Sequence, residues 1–117
     1  MNLLEAIFGK PSPSLDAAEL SEKLKNGKHP FVLDVRQPEE YRAGHIAGAK
    51  LIPLSDLTRK MESLPKNREI VCVCASGNRS SSATRILVNA GYNALNMKGG
   101  MVSWRRAGLA VKKGDAA

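Results

Sequence analysis

The segment from Glu69 to Cys74 constrains the fold more than any other. Ile70, Val71, Cys72 and Val73 form an unbroken apolar run. A strand with one face in water alternates apolar with polar residues, whereas a continuous run suits a strand covered on both faces, as in the middle of a parallel sheet. The flanking segments supply the covering layers. Asp16 followed three positions later by Glu19 has the form of a capping box, and Ala17, Leu20 and Leu24 make an apolar stripe ending before Gly27; this predicts a helix of about ten residues. Phe31 to Val35 reads as a strand, and Pro38 to Tyr41 as a helical turn ending at Gly44. Ala49 to Ile52 reads as a second strand, closed by Pro53. Ser55 can cap a helix over Asp56 to Leu64, where Leu57, Met61 and Leu64 recur at helical spacing. Ser80 to Ala90 reads as a helix stopped by Gly91, Tyr92 to Met97 as the last strand, and Met101 to Ala107 as a final helix after the Gly99–Gly100 turn. Strands that alternate with helices imply an α/β fold, a parallel sheet with helices on both faces.

The organisation around that core is simple. A chain of 117 residues has room for one core. Gly9, Pro11, Ser12, Pro13 and Ser14 mark residues 1–14 as an irregular arm, residues 15–111 as the domain, and residues 112–117 as a basic, small-residue tail. No apolar run approaches the ~20 residues of a membrane helix. The first residues lack a secretory pattern, so a cytoplasmic protein is expected. Cys72 and Cys74 are too few for a disulfide framework. With His29 and His45 far away in sequence they do not show metal-ligand spacing, and no metal site is expected.

Charge is uneven. Residues 1–58 carry 7 Lys and Arg against 8 acids, whereas residues 59–117 carry 11 against 3. An excess of this kind attracts anionic small molecules or acidic partners. Nucleic acid is not the expected partner, because the basic residues are scattered and 4% aromatics leave little on which to stack bases.

Ligands of open parallel sheets bind beyond the carboxyl ends of the strands, which directs attention to Cys74-Ala75-Ser76-Gly77-Asn78-Arg79-Ser80. A cysteine that ends a buried strand and precedes a glycine-containing turn and a helix start is placed to be a stabilised thiolate. Successive backbone N–H groups can turn inward as an anion nest, and the first turn of the helix adds unsatisfied donors. Arg79 is expected to add a full charge. Together these should bring the thiol below the ~8.5 of a free cysteine. Gly77 allows a backbone conformation closed to other residues, letting the chain curl around Cys74. Read alone, Ser76 and Ser80 are a turn residue and a helix cap, Cys72 is packing, and Trp104 is core.

Several separate segments resemble the rhodanese-like sulfurtransferase family. Leu33-Asp34-Val35-Arg36, Pro38-Glu39-Glu40-Tyr41, Gly44-His45-Ile46, Gly48-Ala49 and Ile52-Pro53 are similar to its signature ahead of the active cysteine. The loop Cys74 to Ser80 resembles its active-site loop, and Tyr92, Leu95, Gly99-Gly100, Trp104 and Gly108-Leu109 its closing segment, with Ala110 where proline is frequent. The resemblance implies a three-layer fold around a parallel sheet of about five short strands. It further implies that Cys74 takes a sulfane sulfur from thiosulfate or a similar small anionic donor, holds it as a persulfide within the loop Ala75, Ser76, Gly77, Asn78, Arg79 and Ser80, and passes it to cyanide, a thiol or a sulfur-acceptor protein. No cofactor is required. By the same resemblance Asp34 and Arg36 would support the site; read from the residues themselves, Arg36 is expected to pair with Glu40, and His45 to be a hydrogen-bonded structural residue.

Two rivals follow from the same residues. Dual-specificity phosphatases share the fold and a Cys–Arg loop, but theirs is one residue longer; only four residues separate Cys74 from Arg79, and Ser80 stands at the phosphatase arginine position. A loop this short suits one sulfur atom rather than a phosphoryl group. A regulatory binding module or protein-to-protein persulfide relay is the other alternative, and the presence of Cys74 favours transfer over mere binding.

Overall fold

The computed structural model describes Leu3 and residues 12–117. Along the chain lie β1 (Ser14–Leu15), α1 (Ala17–Leu24), β2 (Phe31–Asp34), α2 (Pro38–Ala43), β3 (Lys50–Leu51), α3 (Leu57–Lys60), β4 (Ile70–Val73), α4 (Asn78–Asn89), β5 (Ala94–Met97) and α5 (Gly100–Arg106). The five strands form one sheet in the order β1-β5-β4-β2-β3, every neighbouring pair parallel. The expected parallel α/β sheet is therefore present, and β4 is its centre, with all four residues buried. Burying Ile70, Val71 and Val73 stabilises the fold by about 2 kcal/mol each.

Period two along the strands divides the core. Val32, Val71, Val73 and Met97 face a layer made by Leu20 of α1, Tyr41 of α2, and Met101 and Trp104 of α5. Leu33, Ile70, Cys72 and Ala94 face the other layer, made by Leu57, Leu64, and Ala83 and Leu87 of α4. Cys74 continues the second series, so strand geometry alone aims it toward α4.

Local chemistry explains the element ends. The capping box at α1 is complete: Glu19 N donates to Asp16 Oδ1 at 2.8 Å, and Asp16 N to Glu19 Oε1 at 3.2 Å. Pro38 opens α2, and Gln37 N donates to Glu40 Oε1 at 3.0 Å, which fixes the Glu40 side chain.

Three expectations need amendment. The Ser55-capped helix over 56–64 is instead α3 between the 3-10 turns Leu54–Asp56 and Met61–Ser63. Leu64 N and the Tyr92 hydroxyl both donate to Met61 O, which draws the chain inward and ends the α-helical ladder. Most of the arm lies outside the described residues, but Ser14 belongs to β1: Asn96 N donates to Pro13 O and Lys98 N to Leu15 O. Pro13 is tolerated because this strand is an edge, where a missing donor faces no partner. Residues 112–117 lie against the domain: Lys112 exchanges two backbone hydrogen bonds with His45, and Gly114 N donates to Arg42 O. His45 is buried, stacked on Tyr41 at 3.6 Å between centroids, with ring nitrogens 2.8 Å from Tyr41 O and Ala116 O. It is structural, as expected.

Candidate active site

At Cys74 the chain leaves the last ladder position of β4, and its next donors are free to serve something other than the sheet. Gly77 adopts φ +102°, in the region that side chains rarely occupy, and the reversal carries the backbone into α4. Gly77 N donates to Cys74 Sγ at 3.0 Å and Ser80 Oγ to the same sulfur at 3.2 Å. The amides of Ser80 and Ser76 add to the same cluster of donors. Behind the loop, α5 fixes its base: Met101 N donates to Cys74 O at 2.8 Å and Val102 N to Ala75 O at 3.1 Å. Gly100 makes this approach feasible, since a Cβ there would collide with Cys74 O and Ala75.

Cys74 is closed off from solvent. Burial by itself pushes a thiol up because the charged form loses hydration. Here the Ser80 hydroxyl and the amides of Ser80, Gly77 and Ser76 outweigh burial, and the Cys74 thiol sits below its ordinary value. Two residues earlier, Cys72 has none of these amide donors. Burial pushes it up to about 12, with a hydrogen bond from Thr84 opposing and the neighbouring Cys74 adding to the rise.

The charged residues are arranged differently from expectation. Arg36 pairs with Asp34, not with Glu40: its Nε and Nη2 donate to the two carboxylate oxygens at 2.9 and 2.8 Å, and Nη2 also donates to Gly44 O. Both residues are buried, and this two-point geometry leaves the Arg36 fork fully used. Glu40 turns instead to Arg79, accepting from Nη1 at 2.8 Å and Nη2 at 2.9 Å. That bond holds the Glu40 carboxyl at about 2, below the usual carboxylate range, against a smaller opposing effect of burial. Arg79 therefore does not bring an unopposed charge to the Cys74 sulfur. Its charge is shared with α2, and the sulfur is stabilised chiefly by main-chain N–H groups and one hydroxyl.

Of the other loop residues, Ala75 is half-buried and Ser76 and Asn78 point to the surface. Gly77, not Ser80, occupies the helix cap. Ser80 is buried and bonds the sulfur, a stronger role than the cap read from sequence, because the helix begins two residues earlier than expected and turns Ser80 inward. Asp34 and Arg36 sit at the end of β2 beside the loop. A groove of about 240 Å³ opens next to it, lined by Ala75, Arg36, Glu40, Met101, Val102 and Arg105.

Sequence reasoning missed Asn96. On β5, the period of two places Asn96 on the same face as Ala94, toward α4, where its Oδ1 accepts from Ser80 Oγ at 2.6 Å and its Nδ2 donates to Gly77 O at 3.3 Å. A polar residue inside a short apolar strand is the signal that could have found it.

Residues 16–107 match the model of the rhodanese-like domain. A sulfurtransferase of Allochromatium vinosum is 35% identical over 98 residues, covering 83% of this chain and 92% of that protein. The putative sulfurtransferase YtwF of Bacillus subtilis is 37% identical over 90 residues, covering 77% and 87%. Among solved structures, a rhodanese-related protein from Thermoplasma volcanium superposes with a TM-score of 0.80 at 38% identity, covering 86% of this chain and 97% of that one. With the family model spanning most of the chain and the sheet, loop and closing glycines all in agreement, the chain belongs to the rhodanese-like domain family.

Proposed function

We propose that the chain is a sulfurtransferase that carries a sulfane sulfur on Cys74. The observation that carries this reading is the convergence of the Gly77 amide and the Ser80 hydroxyl on Cys74 Sγ, at 3.0 and 3.2 Å. Such a thiolate is a covalent nucleophile that needs no separate base once ionised. With thiosulfate, Sγ attacks the outer sulfur. The new bond is Sγ–S, the S–S bond to the sulfonate sulfur breaks, and sulfite departs with the electron pair. The charge then rests on the terminal sulfur, where main-chain N–H groups from Ala75 to Ser80 can receive it without reorganising. Cyanide or a thiolate attacks that terminal sulfur, takes it, and returns Cys74 as the thiolate. A sulfur-acceptor protein would use the same second step.

Because Cys74 is enclosed, the loop must open for a donor to reach Sγ. The loop is one residue shorter than a phosphatase loop, and its donors close on a single sulfur, which supports sulfur over phosphoryl transfer. Intact mass after thiosulfate treatment tests the reading. One added sulfur that is removed by cyanide and absent from Cys74→Ser is the expected result; an unmodified wild-type protein would overturn it.

A further inference from the structure

The Ser80 hydroxyl has one proton and two acceptors. Its Oγ lies 3.2 Å from Cys74 Sγ and 2.6 Å from Asn96 Oδ1. The orientation of the Asn96 carboxamide is set by its other end, where Nδ2 donates to Gly77 O at 3.3 Å; the reverse orientation would set Oδ1 against a carbonyl oxygen. Asn96 Oδ1 is thus an acceptor only, and at 2.6 Å it is the nearer of the two acceptors that share the one Ser80 proton. When Cys74 is a thiol, the arrangement is complete: S–H donates to Ser80 Oγ, and Ser80 O–H donates to Asn96. When Cys74 is a thiolate, the sulfur competes for the same proton, and whichever acceptor loses faces the lone pairs of Ser80. All three side chains are buried, so water cannot supply the missing donor.

We propose that Asn96 is a positioning residue that competes with Cys74 for the Ser80 proton, and thereby restrains the free thiolate relative to the sulfur-loaded form. The second half of this rests on the sulfur-carrying reading above. In a persulfide the charge moves to the terminal sulfur, and Sγ becomes a weak acceptor. The Ser80 proton can then return to Asn96, so the loaded state satisfies every member of the chain while the empty thiolate does not. The ionisable groups around this cluster are Cys72 on β4, the Asp34–Arg36 pair ending β2, Glu40 on α2 and Arg79 on α4. Each charged one is paired within the fold, and Asn96 itself carries no charge, so its replacement changes the hydrogen bond without changing the local charge.

The test is the ionisation midpoint of Cys74, followed by thiolate absorbance against pH in wild type, Asn96→Leu, Ser80→Ala and the double variant. Asn96→Leu removes the competing acceptor at similar volume, and the midpoint is expected to fall by about half a pH unit or more. A merely structural Asn96, whose loss loosened Gly77, would raise the midpoint or leave it unmoved, and either result overturns the proposal. In the Ser80→Ala background the Asn96→Leu shift is expected to vanish; a shift that persists there overturns it too. Should Asn96→Leu fail to fold, the unmutated protein decides. The Asn96 carboxamide signal in NMR must titrate with the Cys74 midpoint and cease to do so in Ser80→Ala, and a signal that stays fixed in wild type counts against the proposal. A Cys74 that does not ionise near neutral pH would sink the functional reading and this inference together. A Cys74 that ionises below the free-thiol value and accepts sulfur from thiosulfate, with no Asn96 response, would sink only this one.

Discussion

Cys72 and Cys74 are the same residue two positions apart, aimed at the same side of the sheet and equally hidden from water, yet their thiols move in opposite directions. Cys72 stands inside β4, where its backbone is committed to the ladder with β2 and β5. Cys74 stands one residue beyond the strand, where the turn at Gly77 leaves amides without a ladder partner. Exposure thus does not separate the two thiols. What separates them is the supply of uncommitted donors, which a strand spends on its neighbours and a tight turn into a helix leaves free.

Breaking that contrast should have graded effects. The largest is expected from Cys74→Ser, which should lower thiosulfate-dependent sulfur transfer to background while Cys72→Ser retains most of it; equal losses in a thiocyanate assay would erase the distinction. Next is Gly77→Ala. It forces a side chain into φ +102° and brings a Cβ to 3.1 Å from Gly99 N, so urea denaturation should show a loss of about 1–2 kcal/mol, with transfer activity falling as the amide leaves Sγ. Ser80→Ala sharpens the comparison by removing one donor and leaving the amides. The Cys74 midpoint should rise by about one pH unit and stay well below that of Cys72.

The smallest effect concerns Glu40. Its carboxyl is held at about 2 in the fold against 4.5 for an unperturbed glutamate, chiefly by Arg79, so it is depressed on folding. The stability it contributes is present above 4.5 and is lost as pH falls from there toward 2. Urea midpoints of wild type should decline through that window more than those of Glu40→Gln, by a modest amount because solvent screens the pair. Parallel declines would remove Glu40 from the account.

Much of the molecule was legible in the sequence because its signals are local. The unbroken apolar run of β4 marks the sheet centre, Asp16 and Glu19 mark a helix start, and the residues from Cys74 to Ser80 mark the loop. What was not legible depends on partners distant in sequence. Arg36 has two carboxylates within reach along the chain, and only the fold shows that Asp34 takes it and leaves Glu40 to Arg79, 39 positions on. Ser80 reads as a cap until the helix is seen to start at Asn78, and Asn96 acquires a role only when β5 lies beside β4. The two-residue β1 carries too few side chains for any period to register.

Main-chain amides and one hydroxyl bring the Cys74 thiol below its ordinary value in a buried site. The most direct test of this is the pH titration of thiolate absorbance in wild type, with Cys72→Ser used to assign the signal. A single Cys74 transition is expected below the ~8.5 of a free cysteine thiol. A transition at or above that value would mean that burial prevails over the donors, and would contradict this.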